Sequence, residues 1–407
     1  TTEIYTLSLH DALPISFVDD DGSFRYSDPM KIWIKVLAAA IIGILLGIFL
    51  PEGSEKTGAV IASISEVIIH IGRYLLFPLM FFSLAYGVYE LRLEKQTFRL
   101  FLRTFVYLVI STLVLVVLGI LALLLLSPQR IPITIEQEPL SHIATVKETF
   151  LEIFPNNLFS LMAINGNNYL PLAFLAFFIG INASFDRTIT RPVTQLLDSL
   201  SRLFYHMNSF IIEFTSILCI VLAANLTVKT ISTPEISLFT QMLVILLAIS
   251  GVVILGLYPL ILYFFGGKEN PYKWLYAQIA PALTGFLSGD NYFSYSMLVK
   301  HGKENLGIPR KAGAVTFTAF TFFGKGGTAL VTAASFIVII KSYSSLGITI
   351  PQILWILLFS FLFSFITGPF PGTGVIVALA ALCRLYGRGL EEGYLILKPV
   401  FHLLVSF

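Results

Sequence analysis

Apolar residues fill long stretches of this chain on every side of a helical turn, not on one face. Ile32–Leu50, Phe101–Leu126 and Met242–Phe265 are the clearest. Each is long enough for a helix to cross roughly 30 Å of hydrocarbon. The pattern predicts an all-α membrane protein with eight transmembrane helices. Span 1 covers about 31–50 and ends at Pro51 and the polar turn Glu52–Thr57. Span 2 covers about 58–89, with Pro78 placed to kink it. Span 3 covers about 101–127 and is followed by a polar loop, Ser127–Asn157. Span 4 covers about 158–183 and holds the irregular Asn165-Gly166-Asn167-Asn168. Spans 5, 6 and 7 cover about 188–224, 237–266 and 312–342, and a last span starts near Leu390.

Two further apolar segments are broken. One runs from about Tyr272 to Lys300 and is interrupted at Ser288-Gly289-Asp290-Asn291. The other runs from about Ile350 to Leu382 and is interrupted at Gly368-Pro369-Phe370-Pro371-Gly372-Thr373-Gly374. Irregular backbone cannot face lipid, so such breaks must be buried in protein or line a wet cavity. Paired breaks of this kind point to a transporter site made of half-helix ends.

Loop charges give an orientation. Lys31, Lys35, Arg92, Lys95, Arg99, Arg103, Arg187, Arg191, Lys268, Lys273, Lys300, Lys303, Arg310 and Lys311 gather on one side of the predicted spans. That side should be cytoplasmic, with the N-terminus on it. The loops alternate correctly only if both broken segments are re-entrant helical hairpins opening to opposite faces, an inverted pair.

Composition supports a membrane protein. The 407 residues are 56% hydrophobic and 12% charged, with a mean hydropathy of +0.84; soluble domains carry about twice that charge. The net charge of +2 comes with no basic cluster interleaved with aromatics, which leaves nucleic-acid binding unsupported. Cys219 and Cys383 lie inside apolar runs and read as small core residues. No nucleophile–base pair, zinc spacing or phosphate-binding glycine loop is present, so the chain does not read as an enzyme and no organic cofactor is expected. Residues 1–29 differ from the rest and read as a non-native or disordered segment ahead of a start at Met30, with Thr1–Ser16 resembling a translated adapter remnant. The last apolar stretch reaches Phe407 without a polar tail, and a helix from Leu390 covers only about 27 Å by then. That predicts a chain cut short.

The chemistry concentrates in a few residues. Lys325 is charged, sits mid-span and is flanked by Gly324, Gly326 and Gly327. Such a charge costs about 3 kcal/mol or more to insert. It is either a tethered cation at a binding site or a structural charge that pairs with Asp290 or snorkels. Asp290 is the natural counter-charge, and equally a cap for the helix that follows it. The Gly368–Gly374 stretch, with Pro371, Gly372 and Thr373, either frees backbone N–H groups suited to a carboxylate or is an ordinary turn. His70, His206 and His402 are isolated and read as packing residues.

The order of these features resembles the dicarboxylate/amino acid:cation symporter family, which has the glutamate-transporter fold. Phe77-Pro78-Leu79-Met80-Phe81-Phe82-Ser83-Leu84 is similar to the family's Pro-Leu-Val-Phe-Phe-Ser-Leu. Leu306-Gly307-Ile308-Pro309 resembles the turn after the first hairpin. Gly327-Thr328-Ala329-Leu330 matches the end of Asn-Met-Asp-Gly-Thr-Ala-Leu, and Pro371-Gly372-Thr373-Gly374 matches the second tip, Pro-Gly-Ala-Gly. The resemblance spans about Lys31 to Phe407. It implies a homotrimer in a bacterial-type inner membrane. Spans 1, 2, 4 and 5 would form a scaffold, and the part from 267 to 407, with spans 3 and 6, would move as an elevator. Substrate would sit between the hairpin tips and an unwound middle of span 7, at Ser288, Gly289, Asp290, Asn291, Lys325, Thr328, Gly368, Pro371, Gly372, Thr373 and Gly374. A coupling ion, Na+ or H+, is also implied.

Departures from the family fall on the chemistry. Gly324 and Gly326 replace the family's Asn and Asp, and Lys325 replaces its Met. Ser111 and Thr112 match a hydroxyl pair at another sodium site, although such hydroxyls usually bond back to their own helix. The amino-group-binding Asp aligns with Val405, and the Arg that holds a side-chain carboxylate falls just past Phe407. The reading is a secondary active transporter of small carboxylates such as dicarboxylates or amino acids, with reduced sodium dependence. The alternative is a channel-like or non-transporting membrane homologue of the same fold.

Overall fold

A computed structural model describes residues 32–50, 55–132, 168–265, 270–344, 347–368, 370 and 372–407. The expectations for residues 1–31, for the polar loop beyond Pro132, for Asn165–Asn167, and for Pro369 and Pro371 fall outside them. All regular structure among the described residues is helical. Six helical stretches there are long and apolar enough to cross a membrane: Ile32–Phe49, Lys56–Leu93, Thr97–Leu126, Arg187–Ile231, Thr240–Phe265 and Arg310–Tyr343.

Proline and glycine shape these helices. Span 2 breaks into α2 (Glu55–Arg73) and α3 (Leu76–Leu93). The break lies at Tyr74-Leu75, upstream of the expected kink at Pro78. A proline ring clashes with the carbonyl four residues before it, which here belongs to Tyr74. Pro78 thus falls in the first turn of α3, where its missing N–H costs nothing. α1 (Ile32–Phe49) lies against α6 (Arg187–Ile231). A Cβ on Gly43 would stand 2.2 Å from the Ile220 carbonyl oxygen, and one on Gly47 2.6 Å from Thr227 Cβ. The Gly43-x-x-x-Gly47 spacing permits this close backbone approach, the usual basis of helix association in lipid. α6 is 45 residues long and begins at an Asp186 cap, whose Oδ1 accepts from the Thr188 and Ile189 N–H groups at 3.2 Å.

Between α4 (Thr97–Leu126) and α6 lies α5 (Leu170–Asn182), which packs on α3. Span 6 is also interrupted, by a π turn at Val253–Leu257 between α7 (Thr240–Val252) and α8 (Tyr258–Phe265). The cause is Pro259, which frees the carbonyl of Leu255. The Tyr272 hydroxyl donates to that carbonyl at 3.5 Å.

The first broken segment forms a packed pair, α9 (Tyr272–Ser288) and α10 (Asn291–Glu304). Span 7 is divided into α11 (Arg310–Phe323) and α12 (Gly326–Tyr343). The second broken segment forms α13 (Ile350–Ile366) and α14 (Gly374–Tyr386). The last stretch is not one regular helix: a 3-10 stretch, Gly393–Val400, precedes α15 (Phe401–Ser406). Pro399 near the end of the 3-10 stretch disfavours a continuous α-helix.

α12 is the centre of the molecule. Every residue from Ala329 to Ile340 is buried. A largely apolar helix with this much cover is a core element, not a lipid-facing one. Residues Ala329–Ile340 pack with α4, α13, α14 and the final segment. Cys219 and Cys383 are both buried among apolar neighbours. Lys300 is not a loop charge. It lies inside α10, 6% exposed, and its Nζ meets Glu213 Oε1 at 3.0 Å. Glu213 Oε2 receives Lys35 at 2.7 Å, so one carboxylate ties α1, α6 and α10.

Candidate functional site

The breaks meet at one place. Gly324 and Lys325 leave the helical region, with φ/ψ of −79°/51° and −90°/37°. α11 therefore stops, and α12 starts afresh in the middle of the bundle. α9 ends at Gly289, whose left-handed φ of 63° a side chain would strain. The second tip turns at Gly372 (φ 70°), and a Cβ there would be 3.3 Å from the Gly289 carbonyl oxygen. The two tips therefore touch. Tyr292 donates its hydroxyl to the Gly368 carbonyl at 3.5 Å, and Gly368 is so close to α11 that a Cβ would stand 2.5 Å from the Phe322 carbonyl oxygen.

These ends enclose a cavity of about 640 Å³. The sequence-predicted residues Gly289, Asn291, Gly324, Lys325, Thr328, Gly372 and Gly374 line it. Ser294, Ser406 and Phe407 also line it, and most of the remaining lining is apolar, from Leu247, Ile254, Leu283, Phe286 and Val375. Lys325 is the single charged side chain among the described lining residues. It is 4% exposed, and its Nζ has no hydrogen-bond partner.

Three helix N-termini point to this region: α10, α12 and α14. A helix start leaves its first N–H groups without partners and carries about half a positive charge. α10 is capped: Asp290 Oδ1 accepts from the Tyr292 N–H at 2.8 Å and the Phe293 N–H at 3.1 Å. α12 and α14 have no side-chain cap. Their first intrahelical bonds, Ala329 N–H to Lys325 and Val377 N–H to Thr373, leave the amides of Gly326–Thr328 and Gly374–Ile376 unpaired within their helices. The ends of α9 and α11 bring carbonyls to the same place, so Lys325 is the one full charge among the described lining residues.

The expected pairing of Lys325 with Asp290 does not occur. The free oxygen of Asp290 forms an ion pair with Arg73, at the end of α2. Cap and ion pair together use up the carboxylate, so none of its charge is left for Lys325. Arg73 also lies over the Tyr292 ring, 5.9 Å from its centroid. Sequence reasoning missed Arg73. Its signal was present, a lone guanidinium within an apolar run.

The remaining predicted residues fall elsewhere. Ser288 and Asp290 line a second cavity of about 600 Å³ on the other side of the first tip, with Arg73, Glu66 and His402. The Ser288 hydroxyl bonds back to Thr284 at 2.7 Å. Thr373 is exposed at the start of α14, outside the residues lining either cavity. Thr112 and Gly326 are neighbours behind the break: a Cβ on Gly326 would be 2.5 Å from Leu115 Cδ1 and 3.7 Å from Thr112 Cα. Ser111 is on a different face of α4, toward Tyr258. The side chains here suit sodium poorly. Gly324 and Gly326 contribute no side-chain oxygen, and Lys325 stands between them in the sequence.

Residues 32–404 match the model of the sodium:dicarboxylate symporter family. The chain belongs to that family. It is 22% identical over 191 residues to a proton/sodium-glutamate symport protein of Bacillus caldotenax, covering 44% of this chain and 45% of that one. It is 24% identical over 186 residues to a C4-dicarboxylate transport protein of Cupriavidus pinatubonensis, covering 43% and 42%. A C4-dicarboxylate transport protein of Cupriavidus taiwanensis is 27% identical over 187 residues, covering 43% and 42%. The chain thus spans less than half the length of these curated relatives.

Proposed function

We propose that the protein is a secondary active carrier of small carboxylates and that the cavity at the helix breaks is its substrate site. The observation that carries this reading is the meeting of Lys325 with the uncapped starts of α12 and α14 at one cavity. Ammonium and free amide N–H groups are the donors that hold a carboxylate in a dry site. The names of the relatives, which give glutamate and C4-dicarboxylates as their substrates, support the same chemical class.

On this reading the pairs α9–α10 and α13–α14 are re-entrant hairpins that open to opposite faces. Opening one tip or the other exposes the cavity to one side at a time. The contact between Gly289 and Gly372 is the seam that must part. Spans 1, 2, 4 and 5 serve as a trimeric scaffold in a bacterial-type inner membrane, N-terminus inside, and the remaining spans carry the site across as an elevator. A coupling ion, Na+ or H+, accompanies substrate only weakly, because the side-chain oxygens for sodium are missing at Gly324 and Gly326.

Counterflow tests the reading. Proteoliposomes preloaded with unlabelled succinate should accumulate external labelled succinate transiently. Linear, non-saturating uptake without counterflow would mean a pore. No uptake of any carboxylate would mean a non-transporting protein.

A further inference from the structure

Within that reading, the charges around the cavity define its chemistry more narrowly. Lys325 is 4% exposed, its Nζ has no partner, and it lies between the end of α11 and the start of α12. A buried amine of this kind holds its charge only with a counter-ion beside it. No side chain among the described lining residues supplies one. Asp290, the acidic residue at the first tip, is taken by Arg73 and by the N–H groups of α10, and no Asp or Glu lines the cavity among the described residues. A carboxylate on the ligand would supply the negative charge that these residues lack.

We infer that the Lys325 ammonium is a built-in counter-cation for the substrate carboxylate, replacing a co-bound metal ion, and that the site selects carboxylates without an ammonium group. Both parts follow from the same tally. A metal cation at Gly324–Gly326 would lie beside an ammonium with no carboxylate between them, so like-charge repulsion opposes it. Among the described lining residues an ammonium on the substrate would meet no carboxylate, but neutral acceptors such as Asn291, Ser294, Thr328 and Ser406, apolar side chains, and Lys325 itself. A simple dicarboxylate has no such conflict. One carboxylate pairs with Lys325 at the start of α12, and the second has the uncapped start of α14 within the same cavity.

Succinate and aspartate differ by one ammonium group on the same carbon skeleton, which makes them the discriminating pair. Their binding to the purified protein, read as thermal stabilisation and as uptake in proteoliposomes, is compared in choline and in sodium media. Succinate should bind equally in both, and aspartate at least about tenfold more weakly, because a lost or opposed charge-assisted contact is worth roughly that factor or more. Lys325→Met should weaken succinate roughly 10- to 100-fold in choline. Lys325→Arg keeps the charge, so it should retain sodium independence even if affinity falls, and it shows whether the site tolerates substitution. The inference is overturned if succinate needs sodium, if aspartate binds as well as succinate, or if Lys325→Met leaves affinity unchanged. If neither compound binds or moves in any medium, the carrier reading itself fails.

Discussion

Replacing Asp290 by alanine removes two interactions at once, and the structure allows them to be separated. The first is the cap of α10, two N–H groups accepted at 2.8 and 3.1 Å; its loss costs about 1 kcal/mol. The second is the ion pair with Arg73. The side chains are 3% and 15% exposed, so screening is slight, and an abandoned guanidinium costs about 3–5 kcal/mol. Asp290→Asn keeps a capping oxygen and loses only the charge. It should destabilise by about 3–5 kcal/mol, and alanine by about 1 kcal/mol more. Arg73→Met should cost less, about 2 kcal/mol, because the start of α10 continues to stabilise the carboxylate. The double variant Arg73→Met/Asp290→Asn should recover much of the sum, with a coupling energy of about 2 kcal/mol or more. Denaturation of the purified protein in detergent micelles measures all four corners of the cycle. Additivity within about 0.5 kcal/mol would refute the pair and return Asp290 to the pool of charges open to Lys325.

Other positions give sharper steric tests. Gly43→Leu places a side chain where even a Cβ would be 2.2 Å from the Ile220 carbonyl oxygen; it should separate α1 from α6 and cost about 3 kcal/mol or more, seen as a loss of folded protein on gel filtration, whereas normal stability would contradict the packing. Gly372→Val meets a left-handed φ of 70° and the Gly289 carbonyl oxygen at 3.3 Å, so it should cost about 1–2 kcal/mol and slow transport more than it weakens succinate binding; unchanged uptake would show that the seam between the tips does not move.

Much of the architecture was legible because membranes punish irregular backbone. Gly289, Gly324 and Gly372 announced the helix ends that meet at the cavity, and the glycines around Lys325 marked the break between α11 and α12. Where the reading slipped, the cause is physical. Pro78 acts through the carbonyl four residues upstream, so the break appears at Tyr74-Leu75. Pro259 acts through Leu255 in the same way, producing a π turn inside a run of uniform hydrophobicity. A sequence also cannot show which of two cations a carboxylate will meet. Asp290 lies next to Lys325 in the logic of the motif, but α2 ends at Arg73 beside the first tip, and the shorter reach wins. Lys300 looked like a loop charge for the same reason, since its partner Glu213 lies 87 residues away.

The central claim is that a carboxylate binds among the helix ends beside Lys325. A structure of the protein in lipid nanodiscs, determined with and without saturating succinate in sodium-free buffer, tests it directly. The account predicts new density within about 3 Å of the Lys325 Nζ, the distance of a charge-assisted hydrogen bond, and between the starts of α12 and α14. Succinate density elsewhere, with the cavity unchanged, would contradict it.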